Sequence, residues 1–186
     1  MARASTFEVI EYVRSLEAKG IKVIHAYAIQ DRFGLNADSL KVLLWRVSKR
    51  GLINRIGKNW IALPDAQPHK ILPLLYPPSY ASMEWALSYH GVSMQKPFMV
   101  TAVSTRKTKK IKSNAWNIEI HHVADRLFFG FDERYIACPE KALLDLAYIR
   151  NGIDVELDLS EVNKRILRSY LMKYPRFVER ALKNYF

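Results

Sequence analysis

The proline pair Pro77-Pro78 restricts the fold more than any other feature of this sequence. Proline lacks a backbone N–H group and disfavours helical geometry in the residue before it, so Tyr76 and Pro77 are predicted to be extended. A short helix is predicted after this break, with Ser82 as its N-cap and Gly91 directly after its end. This stretch is rich in aromatic and apolar residues, and we therefore expect the helix to be packed within the fold.

The sequence changes character around this break, which predicts two domains. A length of 186 residues allows one domain of good size or two small ones, and a hydrophobic content of 49% is enough to bury a core. A short polar linker at residues 64–68 separates a helical region from a region of strands and helices. We predict an α+β fold with domains at residues 1–66 and 69–186.

Residues 1–66 show helical periodicity followed by a short hairpin. The predicted elements are a helix that Thr6 caps and that runs to Lys19, a β-like step at residues 21–24, a helix at residues 27–33, a helix from Asn36 or Asp38 to just before Gly51, and strands at residues 52–56 and 60–63. This order is typical of a winged helix-turn-helix, in which the third helix enters the major groove of DNA and the hairpin lies along a phosphate backbone.

The third helix is predicted to bury one face and to expose a polar one. Its buried face would comprise Ala37, Leu40, Leu44 and Val47. The predicted DNA contacts are Ser39, Lys41, Arg46 and Lys49 on this helix, and Arg55 and Lys58 on the hairpin. Of these, Ser39 and Lys41, followed by Arg46, are the candidates for base contact. Trp45 is predicted to pack beneath the hairpin, with stacking on a base as the alternative. Two alternatives stay open, because winged-helix domains also bind proteins and a basic helix face can simply be solvated.

The charge and the cysteine content indicate a partner class and a compartment. A formal net charge of +11 favours a polyanionic partner, most often nucleic acid, although a merely basic protein is the simpler alternative. The single cysteine, Cys138, allows no intrachain disulfide and fits a reducing cytoplasm. The sequence has no apolar run of the ~20 residues that a membrane span needs and no signal-peptide pattern. We expect a cytoplasmic protein without a membrane partner.

Residues 69–186 are predicted to form a mixed α/β domain with a small antiparallel sheet and C-terminal helices. The predicted elements after Gly91 are strands at residues 98–104, 116–123 and 127–131, a helix that begins at Pro139, a helix from a Ser160 cap to about Lys173, and a helix from Pro175 towards the C-terminus. In the Pro139 helix, Glu140 and Lys141 are interpreted as capping and surface charge. Asp145 is predicted to point outward or to cap a neighbouring element.

A basic run lies between the first two predicted strands of this domain. It contains five positive charges within seven residues, namely Arg106, Lys107, Lys109, Lys110 and Lys112. In a hairpin loop, such a run can contact phosphates or an acidic partner protein, and it can equally be a solubilising turn.

The sequence shows no recognisable catalytic motif. It has no glycine-rich phosphate loop, and the spacing of its five histidines matches no zinc site. The most credible enzyme would be a metal-dependent nuclease, but His121 stands where a lysine would be wanted after Glu119. We therefore expect no catalytic residues, no metal and no cofactor.

Three motifs in the second half of the chain carry a family resemblance. They are YPPSYASMEWALSYHG at residues 76–91, FFG at residues 128–130 and IACPEKALLDLAY at residues 136–148. Together they resemble the AbiEi antitoxin family of type IV toxin–antitoxin systems. The matching positions are Tyr76, Pro77, Ser79, Ser82, Ala86, Leu87, His90 and Gly91, and then Pro139, Glu140, Lys141, Ala142, Leu143 and Asp145. We interpret these residues as mainly fold-defining.

The resemblance implies a bifunctional protein. Its winged helix would repress its own promoter by binding repeats in the double-stranded DNA there, which allows a homodimer on DNA. Its second domain would counter a nucleotidyltransferase-like toxin, without needing stable contact with it. Two alternatives stay open: a stand-alone winged-helix regulator whose second domain binds a protein or ligand, and an RNA-binding or degenerate nuclease-like protein.

Overall fold

The computed structural model describes residues 5–57 and 59–185, and these residues form an α+β fold with eight α-helices and two small sheets. The chain divides into two compact units. The first unit contains the residues up to Gln67 together with Ile111–Trp116, and the second contains Pro68–Lys110 and the residues from Asn117 onward. Residues 111–116 thus group with the first unit, although they fall within the predicted second domain.

The first unit contains three helices and a three-stranded antiparallel sheet. In chain order its elements are α1 (Thr6–Ala18), β1 (Val23–His25), α2 (Ala26–Arg32), α3 (Ala37–Lys49), β2 (Asn54–Ile56) and β3 (Trp60–Ala62). The sheet has the order β1-β3-β2, so β3 pairs with both other strands. The helices predicted in this region and the hairpin are confirmed.

The helix caps are local side-chain effects, and one of them differs from the prediction. Ser5, rather than Thr6, caps α1 in a capping box, in which Ser5 N donates to Glu8 Oε2 at 2.7 Å and Glu8 N donates to Ser5 Oγ at 3.2 Å. The two neighbouring hydroxyl residues have similar cap preferences, and only Ser5 stands three residues before a glutamate. Of the two predicted starts of α3, Asn36 and Asp38, Asn36 is the cap, since Ser39 N donates to Asn36 Oδ1 at 2.8 Å.

Apolar residues of α1, α2, α3 and the hairpin meet in one core. Its main members are Val9, Val13, Ile29, Leu40, Leu43, Leu44, Val47, Ile53, Ile61 and Leu63. Ala37 is exposed, so its predicted burial is wrong. It is the first residue of α3, and the buried residues of this helix begin only at Leu40.

The second unit builds helices around a small sheet. Its elements are α4 (Pro68–Leu75), β4 (Ser79–Ala81), α5 (Met83–Tyr89), β5 (Met99–Ser104), β6 (Lys109–Lys112, of which Ile111 and Lys112 group with the first unit), β7 (Asn117–His122), α6 (Pro139–Arg150), α7 (Lys164–Leu171) and α8 (Arg176–Ala181). The sheet order is β4-β5-β7-β6. The helix α6 begins with Pro139 at its first turn, as predicted.

This sheet is mixed, so the prediction of a purely antiparallel sheet is wrong. β4 and β5 pair antiparallel, but β5 and β7 pair parallel, with Met99 opposite Asn117 and Ser104 opposite His122. The reason is that the basic run between them is not a hairpin loop, because it contains β6. The chain therefore reaches β7 in the same direction as β5.

Two further predicted elements differ from the structure. Residues 127–131 form no strand, because Leu127 is the last residue of a 3₁₀ turn that begins at Asp125 and Phe131 makes only an isolated bridge to Ala137. The aromatic side chains pack instead, and the Phe131 ring stacks on Tyr80 with centroids 4.3 Å apart. Asn163, rather than Ser160, caps α7 by accepting hydrogen bonds from two backbone N–H groups.

The core of the second unit forms where α5, α6, α7 and α8 meet the sheet. Its largest buried members include Tyr80, Met83, Leu87, Leu143, Leu144 and Leu146. Within residues 5–57 and 59–185, no helix combines the length and apolar character needed to cross a membrane.

Candidate nucleic-acid interface

The helix α3 presents a polar face that is free of the core. Ser39, Lys41, Arg46 and Lys49 are all exposed there, together with Val42 and Trp45. By helical spacing, Ser39, Val42, Arg46 and Lys49 share one stripe, whereas Lys41 and Trp45 lie on a neighbouring stripe. The structure therefore brings Ser39 and Arg46 together and sets Lys41 apart from them.

A hollow of about 540 Å³ lies at the N-terminal part of this face. Its lining comprises Ser5, Thr6, Leu35, Asp38, Ser39, Val42, Leu43 and Arg46. Ser39, Arg46 and Asp38 thus line one depression. Such a mixture of donors and acceptors can form hydrogen bonds with the edges of bases.

A second cleft, of about 530 Å³, lies at the C-terminal part of α3. Trp45, Ser48 and Lys49 of α3, Arg55 and Gly57 of the hairpin, and Lys112, Ser113 and Asn114 line it. Arg55 is half-buried in β2, opposite Ile61. The predicted contact Lys58 lies outside the described residues.

The prediction that Trp45 packs beneath the hairpin is wrong. Its side chain is 55% exposed, and Lys49 Nζ lies 5.9 Å from its ring centroid. The apolar side chains of the hairpin, including Ile56 and Ile61, are buried and leave Trp45 uncovered. An exposed tryptophan beside cations is suited to contact with a sugar or a base.

The five charges of the basic run have different environments. The Arg106 guanidinium lies 4.6 Å and Lys109 Nζ 4.9 Å from the ring centroid of Tyr76, and Lys110 Nζ lies 2.9 Å from Glu119 Oε1. Lys107 is exposed, and its backbone carbonyl accepts a hydrogen bond from the Tyr76 hydroxyl at 2.8 Å. The run is therefore not a uniform basic surface, and Lys112 alone among its five charges lines the cleft of the first unit.

The second unit contains a buried polar network that the sequence interpretation missed. The prediction of surface charge for Glu140 and Lys141 is wrong, because Lys141 is 0% exposed and Glu140 is 4% exposed. Asp145, predicted to point outward or to cap a neighbouring element, does not point outward, because it is 0% exposed. Lys141 Nζ donates to Asp145 Oδ1 and, at 2.5 Å, to the Tyr174 hydroxyl. The sequence held one signal for this pair, since a lysine and an aspartate four residues apart share a helix face that is otherwise apolar.

Several further groups complete this network. Ser82 Oγ donates to Asp145 Oδ2 at 2.6 Å, and the Tyr80 hydroxyl donates to the same oxygen at 3.3 Å. Burial lowers the pKa of Lys141 despite the nearby Asp145 carboxylate, and it raises the pKa of Tyr174. A lysine of lowered pKa is often catalytic, but this one has no exposed surface that could meet a substrate. Its geometry is that of a structural ion pair.

Glu119, the carboxylate considered for nuclease chemistry, lies beside two cations and a histidine. Its oxygens lie 2.9 Å from Lys110 Nζ, 3.2 Å from Arg150 Nη2 and 3.3 Å from His121 Nε2. Burial raises the pKa of Glu119, but the hydrogen bonds from Lys110 and Arg150 and the neighbouring His121 outweigh it and bring the pKa to about 2. Within the described residues, no three His, Cys, Asp or Glu side chains group in a way that could hold a metal ion.

Exposed basic side chains lie on the last two helices and shortly after each of them: Lys164, Arg165, Arg168, Lys173, Arg176, Arg180 and Lys183. A cavity of about 640 Å³ between α7 and α8 is lined by Arg168, Leu171, Met172, Tyr174, Arg176, Glu179 and Lys183.

Comparison with protein-family models and with curated proteins finds no match to this chain.

Proposed function

We propose that the first unit is a winged helix-turn-helix that binds double-stranded DNA, and that the protein is a cytoplasmic transcriptional autorepressor. The observation that carries this proposal is the exposed stripe of α3, where Ser39, Arg46 and Lys49 lie on one side of a helix whose other side is buried. A hairpin that carries Arg55 follows this helix directly. The order of helices and strands is the one that such a domain uses.

The chemistry of this face suits the grooves of DNA. A guanidinium such as that of Arg46 can form two hydrogen bonds with the edge of a guanine in the major groove. Ser39 lies in the first turn of α3, the part of a recognition helix that contacts bases. Lys41, Lys49 and Arg55 are suited to phosphates, which position the protein without reading sequence.

We further propose that the protein is the antitoxin of a type IV toxin–antitoxin pair and counters a nucleotidyltransferase-like toxin. The support for this part is the resemblance of the three motifs to the AbiEi family. Several motif residues make contacts that hold the second unit together: Tyr76 bonds to the Lys107 carbonyl, Ser82 to Asp145, and His90 Nε2 lies 2.8 Å from the Ala137 carbonyl oxygen. Such contacts agree with fold-defining roles for the motif residues.

One observation favours a second candidate, a stand-alone regulator whose second unit binds a ligand or a protein. Among the described residues, the cavity between α7 and α8 is lined by Arg168, Arg176 and Lys183 but by only one carboxylate, that of Glu179. A pocket of this volume could hold a small anionic ligand. Titration of the protein with small anions would show such binding.

Two experiments test the proposed function. The first is a gel shift at fixed salt with a duplex from the DNA upstream of the coding sequence, using the variant Lys41→Ala plus Arg46→Ala. We expect weaker binding than for the wild type, and unchanged affinity would contradict the assignment of α3. The second is co-expression with a neighbouring nucleotidyltransferase gene, in which growth arrest by that product should be relieved only when this protein is present.

A further inference from the structure

The segment Ile111–Trp116 is built into the first unit, far in sequence from the rest of it. Ser113 forms an antiparallel bridge with Ile56 of β2, and Asn114 Nδ2 donates to Ser48 Oγ of α3 at 2.8 Å. Ile111 is buried. The segment therefore contacts both elements that the proposed DNA-binding surface uses.

The segment is also held in one conformation by its own hydrogen bonds. Ser113 Oγ donates to the Trp116 carbonyl at 2.7 Å and accepts from the Trp116 N–H at 2.8 Å and the Ala115 N–H at 3.2 Å. Ser113 N donates to the same carbonyl at 3.1 Å. This tight turn fixes the backbone on the C-terminal side of Lys112, and the lysine side chain therefore extends from a defined backbone position at the cleft.

The cleft that this segment completes has an unbalanced charge. Lys49, Arg55 and Lys112 line it, and none of the residues 5–57 and 59–185 contributes a carboxylate to its lining. Within the described part of the chain, none of these three cations forms a salt bridge. Three cations around one cleft repel one another, and an anion that enters the cleft relieves this repulsion.

We propose that this cleft binds the phosphodiester backbone of the DNA beside the groove that α3 enters, with Lys49, Arg55 and Lys112 around one phosphate. This inference rests on the proposed function. Asn114 positions the segment through Ser48, and the exposed ring of Trp45 packs against the neighbouring deoxyribose. The second half of the chain thus supplies a DNA contact that the predicted domain of residues 1–66 lacks.

The other four charges of the basic run do not line this cleft. Arg106 and Lys109 lie over the Tyr76 ring and Lys110 pairs with Glu119, so these three are engaged within the second unit. Lys107 is exposed and is not among the residues that line the cleft. Lys107→Ala therefore removes the same charge as Lys112→Ala, five residues away in sequence, and is its matched control.

The test uses the full chain and measures fluorescence anisotropy over a series of salt concentrations. Two duplexes are compared, one from the DNA upstream of the coding sequence and one of random sequence. Log affinity falls as log salt concentration rises, and the loss of one phosphate contact makes this slope less steep by about 0.9. Near 0.1 M salt, this loss corresponds to about five- to tenfold weaker binding. We expect this loss for Lys112→Ala on both duplexes, because phosphate contacts carry no sequence information. For Lys107→Ala we expect the wild-type slope.

A second variant tests the positioning of the segment without removing a charge. Asn114→Ala breaks the bond to Ser48, and we expect it to weaken binding to both duplexes with an unchanged melting temperature. If Lys112→Ala keeps the wild-type slope, or if Lys107→Ala lowers it equally, the cleft is not a phosphate site. Two other results would contradict the proposed function itself: binding of the wild type to neither duplex, and unchanged binding of Arg46→Ala to the upstream duplex.

Discussion

Lys141 and Asp145 lie one turn apart on α6, and their side chains form an ion pair from which solvent is excluded. Asp145 also accepts hydrogen bonds from Ser82 and Tyr80 on one oxygen and from Tyr174 on the other. One carboxylate therefore connects α6 to β4, to the start of α5 and to the chain between α7 and α8. We therefore expect the stability of the second unit to depend on this buried carboxylate.

Replacement of this carboxylate should destabilise the protein strongly. Asp145→Asn keeps the shape of the side chain but leaves Lys141 buried without a counter-charge, so that the lysine is either unpaired or forced to release its proton. We expect a loss of about 3–5 kcal/mol in the free energy of unfolding, measured by urea denaturation. Asp154→Asn, at an exposed carboxylate, is the control and should change stability by less than about 0.5 kcal/mol. Equal effects of the two variants would mean that the ion pair does not stabilise the fold.

A side chain at the glycine that lies beside the same lysine should destabilise the protein. Gly130 has φ +74°, and a Cβ there would lie 3.1 Å from the Cβ and Cγ atoms of Lys141 and 3.2 Å from Tyr170 Cε2. Gly91 has the same φ but no atom within 4 Å of such a Cβ. Both alanine variants share the backbone strain, so we expect Gly130→Ala to cost about 1–3 kcal/mol more than Gly91→Ala in thermal or urea unfolding. Equal costs would show that the Lys141 side chain can move away from the added Cβ without a loss of stability.

The cluster around Glu119 should make stability depend on pH in the acid range. The pKa of Glu119 falls from an ordinary value of 4.5 to about 2 in the folded protein. The folded state therefore binds fewer protons at this group than the unfolded state does. The stabilisation is complete above about pH 4.5 and is lost as the pH falls towards about 2.

Comparison with Glu119→Gln isolates this contribution. We expect the free energy of unfolding of the wild type to exceed that of the variant by at most about 3 kcal/mol near neutral pH. At about pH 3, the difference should be less than half of that. Urea denaturation at both pH values measures the two differences. A difference that stays constant between them would mean that the carboxylate has an ordinary pKa in the folded protein.

The helices of the first unit follow from local sequence signals. Apolar spacing predicts most of the buried face of α3, although Ala37 is exposed, and Gly51 marks where this helix ends. Gly20 likewise marks the end of α1. The stripe with Ser39 and Arg46 is exposed for the same reason, since Leu40, Leu44 and Val47 turn the other face inward. Local patterns thus identify the polar side chains that α3 presents.

Pairings between distant residues did not follow from the sequence. The parallel pairing of β5 and β7 depends on β6 forming between them, and alternation within each strand carries no information on its partner. Lys141 and Asp145 resemble a surface pair because charged residues are seldom buried, and only the packing of other helices encloses them. Likewise, nothing local shows that residues 111–116 group with the first unit.

The central claim is that α3 reads DNA sequence, and the measurement that tests it most directly compares Arg46→Ala with a control on two duplexes. Lys96→Ala, at an exposed cation of the second unit, removes the same charge away from α3. Anisotropy titrations with the upstream and the random duplex at one salt concentration give the preference of each protein for its upstream DNA.

We expect Arg46→Ala to lose about 1–3 kcal/mol of binding free energy on the upstream duplex and much less on the random one, so that the preference falls. Lys96→Ala should keep the wild-type preference. If Arg46→Ala and Lys96→Ala have the same preference as the wild type, α3 does not read DNA sequence.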